Sequence, residues 1–240
     1  MNTPNRFSAA VLAGGRSTRM GADKAALPFM GMTLAAYQAE KLKALGLTDL
    51  MLSGCRQEIP GARCVPDELP ARGPLGGIHA CLGAAEHDAV LFLSVDVPLV
   101  PVETLRALLD AHTGGITLLS VDGAPQPLIG VYDRSLRPTA EEILRSENTA
   151  VRRLFEKSPP RLVEYTGDLW RMRNCNMPED YEWLVGMIPY LKYNDPLGLT
   201  ERIIFMPSKC STKDPRSSAA PRPPARGSRS RQPSLCRFAP

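Results

Sequence analysis

Gly14 and Gly15 follow a short apolar run and are followed in turn by two cations, Arg19 and Lys24. Each residue type suits one task in holding a polyphosphate. Adjacent glycines lack Cβ atoms, so the backbone can reach φ > 0 and turn successive N–H groups into one concavity that meets phosphate oxygens. A guanidinium is a fork for two oxygens, and an ammonium is a compact charge. The spacing is neither the Gly-Lys-Ser/Thr ending of a P-loop nor the Gly-x-Gly-x-x-Gly of dinucleotide-binding folds. Further along, Ser94-Val95-Asp96-Val97-Pro98 closes the clearest apolar run of the chain with a carboxylate at its tip. One carboxylate acting with substrate phosphates and water is a usual ligand set for Mg²⁺. Asp96 is therefore the candidate metal ligand and Mg²⁺ the candidate cofactor. Arg19, Lys24 and Asp96 form a catalytic set that works by positioning and charge neutralisation, with no side-chain nucleophile required.

The segment from Leu12 to Lys24, which reads Leu-Ala-Gly-Gly-Arg-Ser-Thr-Arg-Met-Gly-Ala-Asp-Lys, resembles the signature loop of the molybdenum cofactor guanylyltransferases, the MobA type of nucleotidyltransferase. Ser94-Val95-Asp96-Val97-Pro98 is similar to that family's Asp-x-Pro motif, and Gly73-Pro74-Leu75-Gly76-Gly77 to its Gly-Pro-Leu-x-Gly segment. Asn174-Cys175-Asn176-Met177-Pro178-Glu179 resembles its Asn-x-Asn-Thr-Pro-Glu motif. The resemblance implies transfer of GMP from GTP to the phosphate of molybdopterin, or of its molybdenum-loaded form, with release of pyrophosphate. It implies nucleotide contacts from Leu12, Ala13, Gly14, Gly15, Arg19, Lys24, Ser53, Asp67, Gly76 and Asp96, with the metal on Asp96. Asn174, Asn176 and Gln126 are the candidates for the pterin side. The implied partners are GTP, molybdopterin, other proteins of molybdenum cofactor biosynthesis and acceptor molybdoenzymes, with no membrane and no specific nucleic acid.

Two residues depart from the pattern. Met177 stands where the family has threonine and is a poor N-cap, a loss of about 1 kcal/mol of helix stability. Ser53 stands where the family often has asparagine. Ala13-Gly14-Gly15 is the guanylyl form of the loop, whereas cytidylyl relatives carry Ala-Ala-Gly. A cytidylyltransferase on the same pterin, another small-molecule nucleotidyltransferase and a non-catalytic nucleotide-binding module are the competing readings. The presence of both Lys24 and Asp96 argues against the last.

The elements that must position these residues alternate along the chain. Residues 7–12, 50–53, 62–65, 89–95, 116–121, 128–132 and 162–165 read as strands; residues 33–45, 75–85, 102–112, 139–144 and 150–155 read as helices. In residues 33–45 the apolar face is Leu34, Tyr37, Leu42 and Leu45, with Glu40, Lys41 and Lys43 placed elsewhere. Pro178 suits the first position of a final helix. Strands interleaved with helices imply a mostly parallel sheet covered on both faces, a Rossmann-like three-layer α/β fold, with ligands beyond the carboxyl ends of the strands. The folded unit is expected to be residues 5–188.

The chain has 240 residues and a net charge of +4, and the charge is uneven. Residues 189–240 hold 10 basic and 3 acidic side chains, so the remainder is slightly acidic and its charge gives no reason to expect a nucleic-acid partner. The Pro, Arg and Ser content of that segment predicts disorder. Six cysteines occur without a Cys-x-x-Cys pair and three histidines are scattered, which argues against a zinc site and fits reduced thiols. No apolar run is long enough for a membrane span or a secretory signal, so the expectation is a soluble cytoplasmic protein.

Overall fold

A computed structural model describes residues 6–13, 23–54, 57–69 and 72–193. The first half contains β1 (Phe7–Leu12), β2 (Pro28–Phe29), β3 (Met32–Thr33), α1 (Leu34–Ala44), β4 (Leu50–Ser53), β5 (Arg63–Val65) and α2 (Pro74–Ala84). The second contains β6 (Ala89–Ser94), α3 (Val102–Ala111), β7 (Ile116–Val121), β8 (Ala124–Asp133), α4 (Arg137–Leu144), α5 (Arg153–Lys157), β9 (Arg161–Glu164), α6 (Pro178–Gly186) and α7 (Ile188–Tyr193). Seven strands form one sheet in the order β5-β4-β1-β6-β8-β7-β9. Neighbouring pairs are parallel except at β8, which is antiparallel to both β6 and β7.

The central strands are apolar throughout because helices cover both faces. Along β1, Phe7, Ala9 and Val11 face the core shared with α1 and α3, while Ala10 and Leu12 face the core shared with α2 and α4. The same alternation puts Leu91 and Leu93 of β6 on the first side and Val90 and Phe92 on the second. This is the three-layer α/β arrangement expected from the alternation of elements.

Three local features differ from the sequence reading. Pro28-Phe29 and Met32-Thr33 pair as a small antiparallel hairpin. β8 begins at Ala124, not Leu128, because Asp122 and Gly123 both take positive φ (50° and 76°) and turn β7 directly into β8. Positive φ at both central residues is the type I′ signature that joins strands by a two-residue loop. The helix α6 has a cap despite Met177: the Asp180 carboxylate reaches back and accepts the N–H groups of Asn176 and Met177, both at 3.0 Å. This is the half of a capping box that the N3 side chain supplies, and it supports the helix start without replacing the bond a threonine hydroxyl would make.

Among the cysteines, Cys81 and Cys175 are free and buried. Cys64 on β5 is disulfide-bonded, which corrects the expectation of reduced thiols at that position; its partner lies outside the described residues. Irregular cysteine spacing carries no signal for such a pair. Among the described residues no helix is long and apolar enough to cross a membrane. The last described helix, α7, carries the ordered chain past residue 188 and places Leu191 in the core.

Candidate functional site

The parallel register aligns the carboxyl ends of β5, β4, β1 and β6 along one rim, where Val65, Ser53, Leu12 and Ser94 are successive register partners. Five of the candidate residues follow from this. Leu12 ends β1, and its carbonyl accepts the Val95 N–H at 3.2 Å, extending the ladder toward Asp96. Ala13 is half-buried just beyond it. Ser53 ends β4 and is buried. Asp67 lies just past β5, and Asp96 just past β6.

Lys24 is brought to the rim by a single 3₁₀ turn, Lys24–Ala26, whose start is capped by the Asp23 carboxylate on the Ala25 N–H. Its Nζ donates to Asp96 Oδ1 at 2.7 Å and to Asn176 Oδ1 at 2.8 Å. Three residues separated by 72 and 152 positions of chain thus meet at one ammonium. The Lys24 side chain is 10% exposed and that of Asp96 36% exposed, so the pair sits at the mouth of the rim with the lysine beneath the carboxylate. Cys175 lies between Asn174 and Asn176 and is buried, and its N–H donates to the Asp96 carbonyl at 2.7 Å, which fastens this strand-like segment to the metal-candidate turn. Burial pushes the Cys175 thiol up from its ordinary value, away from the thiolate that a nucleophile would need. Asn174 is exposed and makes no hydrogen bond with the described residues; it is not drawn to Lys24 as Asn176 is.

A second cluster lies beside the first. Gly76 and Gly77, in the first turn of α2, face Ser53 and Asp67 so closely that a Cβ at Gly77 would collide with the Ser53 hydroxyl and one at Gly76 would come within 3.3 Å of the Leu69 carbonyl. Burial raises the Asp67 carboxyl above the usual carboxylate range, with a Ser53 hydroxyl bond working against the shift. Asp67 Oδ1 is buried and has no hydrogen-bond partner among the described residues. A buried acceptor left empty costs about 1–3 kcal/mol, so a ligand N–H or O–H here would recover stabilisation that the protein alone forgoes.

Gln126 sits near the start of β8. Because β8 is antiparallel to β6 and Leu93 pairs with Ile129, residues 124–128 run beyond the end of β6 and reach the same rim. The Gln126 amide bonds its own strand, to the Ala124 carbonyl at 3.2 Å, and does not touch Lys24, Asp96 or Asn176. Gly14, Gly15 and Arg19 lie outside the described residues.

Among the described residues no three His, Cys, Asp or Glu side chains group as a metal cage. Asp96 keeps Oδ2 without a hydrogen bond from them while Oδ1 is held by Lys24. A hard divalent cation that takes one carboxylate oxygen and completes its shell with phosphate and water fits this donor set; a softer ion seeking sulfur or imidazole does not.

Two residues of the rim were missed in the sequence. Gln38 and Lys41 of α1 both point at the Asp96 turn, and both are buried. Lys41 was placed off the apolar face, yet it is seven residues from Leu34 and four from Tyr37, the spacing of one helical stripe. Its charge hid a position that the periodicity revealed.

Comparison with known proteins gives a consistent match. Residues 9–162 match the MobA-like NTP transferase domain family. The chain is 38% identical to a probable molybdenum cofactor guanylyltransferase of Methanothermobacter thermautotrophicus, over 72% of this chain and 96% of the relative. It is 30% identical to a protein of the same name from Carboxydothermus hydrogenoformans, over 75% and 95%. Its fold resembles molybdopterin-guanine dinucleotide biosynthesis protein A of Archaeoglobus fulgidus, with a TM-score of 0.64 at 21% identity over 76% of this chain and 99% of that one.

Proposed function

Since the chain belongs to the MobA-like NTP transferase family, we propose that it transfers GMP from GTP to the terminal phosphate of molybdopterin, releasing pyrophosphate, with Mg²⁺ as the metal. The observation that carries this reading is the convergence of Lys24, Asp96 and Asn176 at the carboxyl rim, in a chain whose relatives are named for this activity. In the reaction an acceptor phosphate oxygen bonds to the α-phosphorus of GTP and the bond from the α-phosphorus to the pyrophosphate oxygen breaks. Both partners are anions, so bringing them together requires fixed positive charge.

Lys24 supplies part of that charge from a preset position, because Asp96 and Asn176 already hold its ammonium at the rim. Arg19 and the amides of Gly14 and Gly15 are assigned to the phosphates. Asp96 would hold Mg²⁺, which when bound neutralises phosphate oxygens and the leaving pyrophosphate. Ser53, Asp67 and Gly76 are assigned to the nucleoside, where the empty Asp67 oxygen would accept a ligand N–H or O–H. Asn174, Asn176 and Gln126 are assigned to the acceptor side, the last because β8 brings it to the same rim. The test is pyrophosphate release from each nucleoside triphosphate with Mg²⁺ and molybdopterin. Selective use of GTP is the expected result; selective use of CTP, or no turnover with the pterin, would overturn the assignment.

A further inference from the structure

The turn that carries Asp96 is unusual in being buried. Val95, Val97, Pro98, Leu99 and Val100 all lie inside the protein, whereas connecting segments normally keep their backbone polar groups in water. Its carbonyls are met instead by two side chains of α1. Gln38 Nε2 donates to the Ser94 carbonyl at 2.7 Å and to the Val97 carbonyl at 3.1 Å, one on each side of Asp96. Lys41 Nζ donates to the Pro98 carbonyl and, at 2.9 Å, to the Val100 carbonyl. With the Cys175 N–H on the Asp96 carbonyl, five carbonyls of residues 94–100 are held from outside the turn.

This arrangement is a poor way to stabilise a core. Gln38 is 0% exposed and its Oε1 has no partner among the described residues, since both donations fix the amide in one orientation. Lys41 is 3% exposed, no carboxylate pairs with it among the described residues, and beyond its two carbonyl acceptors it has the Tyr37 ring at 4.9 Å. Apolar residues of similar size would avoid both penalties. What they would forfeit is the hold on the turn.

We propose that Gln38 and Lys41 are positioning residues for the nucleotidyl transfer: they clamp residues 94–100 from α1 so that the Asp96 carboxylate stays facing Lys24 and the metal position. The proposal rests on the assignment of Asp96 as metal ligand made above. The clamp acts through backbone carbonyls, so it fixes the place of Asp96 without touching its carboxylate. A displacement of about 1 Å at such a group is enough to lower a rate about 100-fold.

Gln38→Leu and Lys41→Met test it, with Asp49→Asn as a control; Asp49 is a buried residue at the opposite end of the strands, bonded to Arg63. Three quantities are measured: amide hydrogen exchange by peptide, Mn²⁺ affinity in the presence of GTP, and kcat and KM for GTP. The clamp requires faster exchange confined to peptides covering 94–100 and 174–176, weaker Mn²⁺ binding, and kcat lowered about 10- to 100-fold with KM for GTP within about twofold. Unchanged exchange at 94–100, or a loss of kcat that only follows the folded fraction as in Asp49→Asn, would overturn it. Should Lys41→Met not fold, Gln38→Leu carries the same comparison. If the wild-type protein fails to use GTP with molybdopterin, the substrate assignment falls, while exchange and Mn²⁺ affinity still decide the clamp.

Discussion

Replacing Lys41 by Met should make the protein's stability respond to pH in a way that isolates one amine. Burial, assisted by the nearby Arg171 charge, pushes the Lys41 ammonium down from 10.5 to about 7. In the unfolded chain the same group ionises near 10.5, so between these values the unfolded state binds the proton and the folded state does not. The stability that Lys41 contributes is therefore complete above pH 10.5, declines as pH falls, and levels off below 7. At about 1.4 kcal/mol per unit, the full span is about 5 kcal/mol, of which about 2 kcal/mol falls between pH 9 and 7. Urea unfolding of wild type and Lys41→Met at pH 6, 7, 8, 9 and 10 gives the difference in unfolding free energy at each pH. Titrations elsewhere cancel in that difference when they are independent of the site. The wild type should gain on the variant by about 2 kcal/mol from pH 7 to 9 and be flat from 6 to 7 to within about 0.5 kcal/mol. A difference independent of pH would mean that Lys41 remains an ammonium when folded, and the account of a desolvated amine kept for its two carbonyls would be wrong.

Asp96→Asn should nearly abolish pyrophosphate release, and Lys24→Ala should lower kcat by about 10² to 10³, the usual cost of losing one preorganised charge at a reacting phosphate. Gly77→Ala, whose new methyl must displace the Ser53 hydroxyl, should raise KM for GTP by about tenfold with kcat little changed, the signature of lost uniform binding. Gly76→Ala, with only the Leu69 carbonyl at 3.3 Å to move, should raise it less; the opposite order in steady-state kinetics would remove Ser53 from the nucleotide pocket. Truncation after Tyr193 should leave both thermal midpoint and turnover unchanged, whereas truncation after Met187 removes Leu191 from the core and should lower the midpoint.

Much of this was legible because buried parallel strands announce themselves: Phe7–Leu12 and Ala89–Ser94 are apolar on both faces, and the polar residues at their ends fall on the ligand rim by topology alone. Asp96 and Lys24 could be named for that reason. What brings them within 2.7 Å of each other, and adds Asn176, is a contact between distant parts of the chain that no local pattern records. The early start of β8 is written in Asp122-Gly123, a hairpin dipeptide with a known preference, while Pro125 and Pro127 just after it blur the strand signal. Pro127 falls where the ladder to β7 slips between Leu118 and Leu119, and Pro125 pairs with Ser120 beyond that slip, near the hairpin end. Lys41 was obscured for the opposite reason, since charge normally outweighs periodicity in deciding which side of a helix meets water.

The reversal of β8 gives the two halves of the rim different freedom to change. On the β1 and β6 side the rim segments lead on to helices that pack on the sheet, so altering their length disturbs those helices. The β7–β8 tip is a two-residue return tethered to the neighbouring strand by the Glu164 carboxylate on the Gly123 N–H, and it can grow or shrink without rerouting anything. A lineage of such proteins could retain one nucleotide grip and exchange the molecule opposite it by editing this single bend.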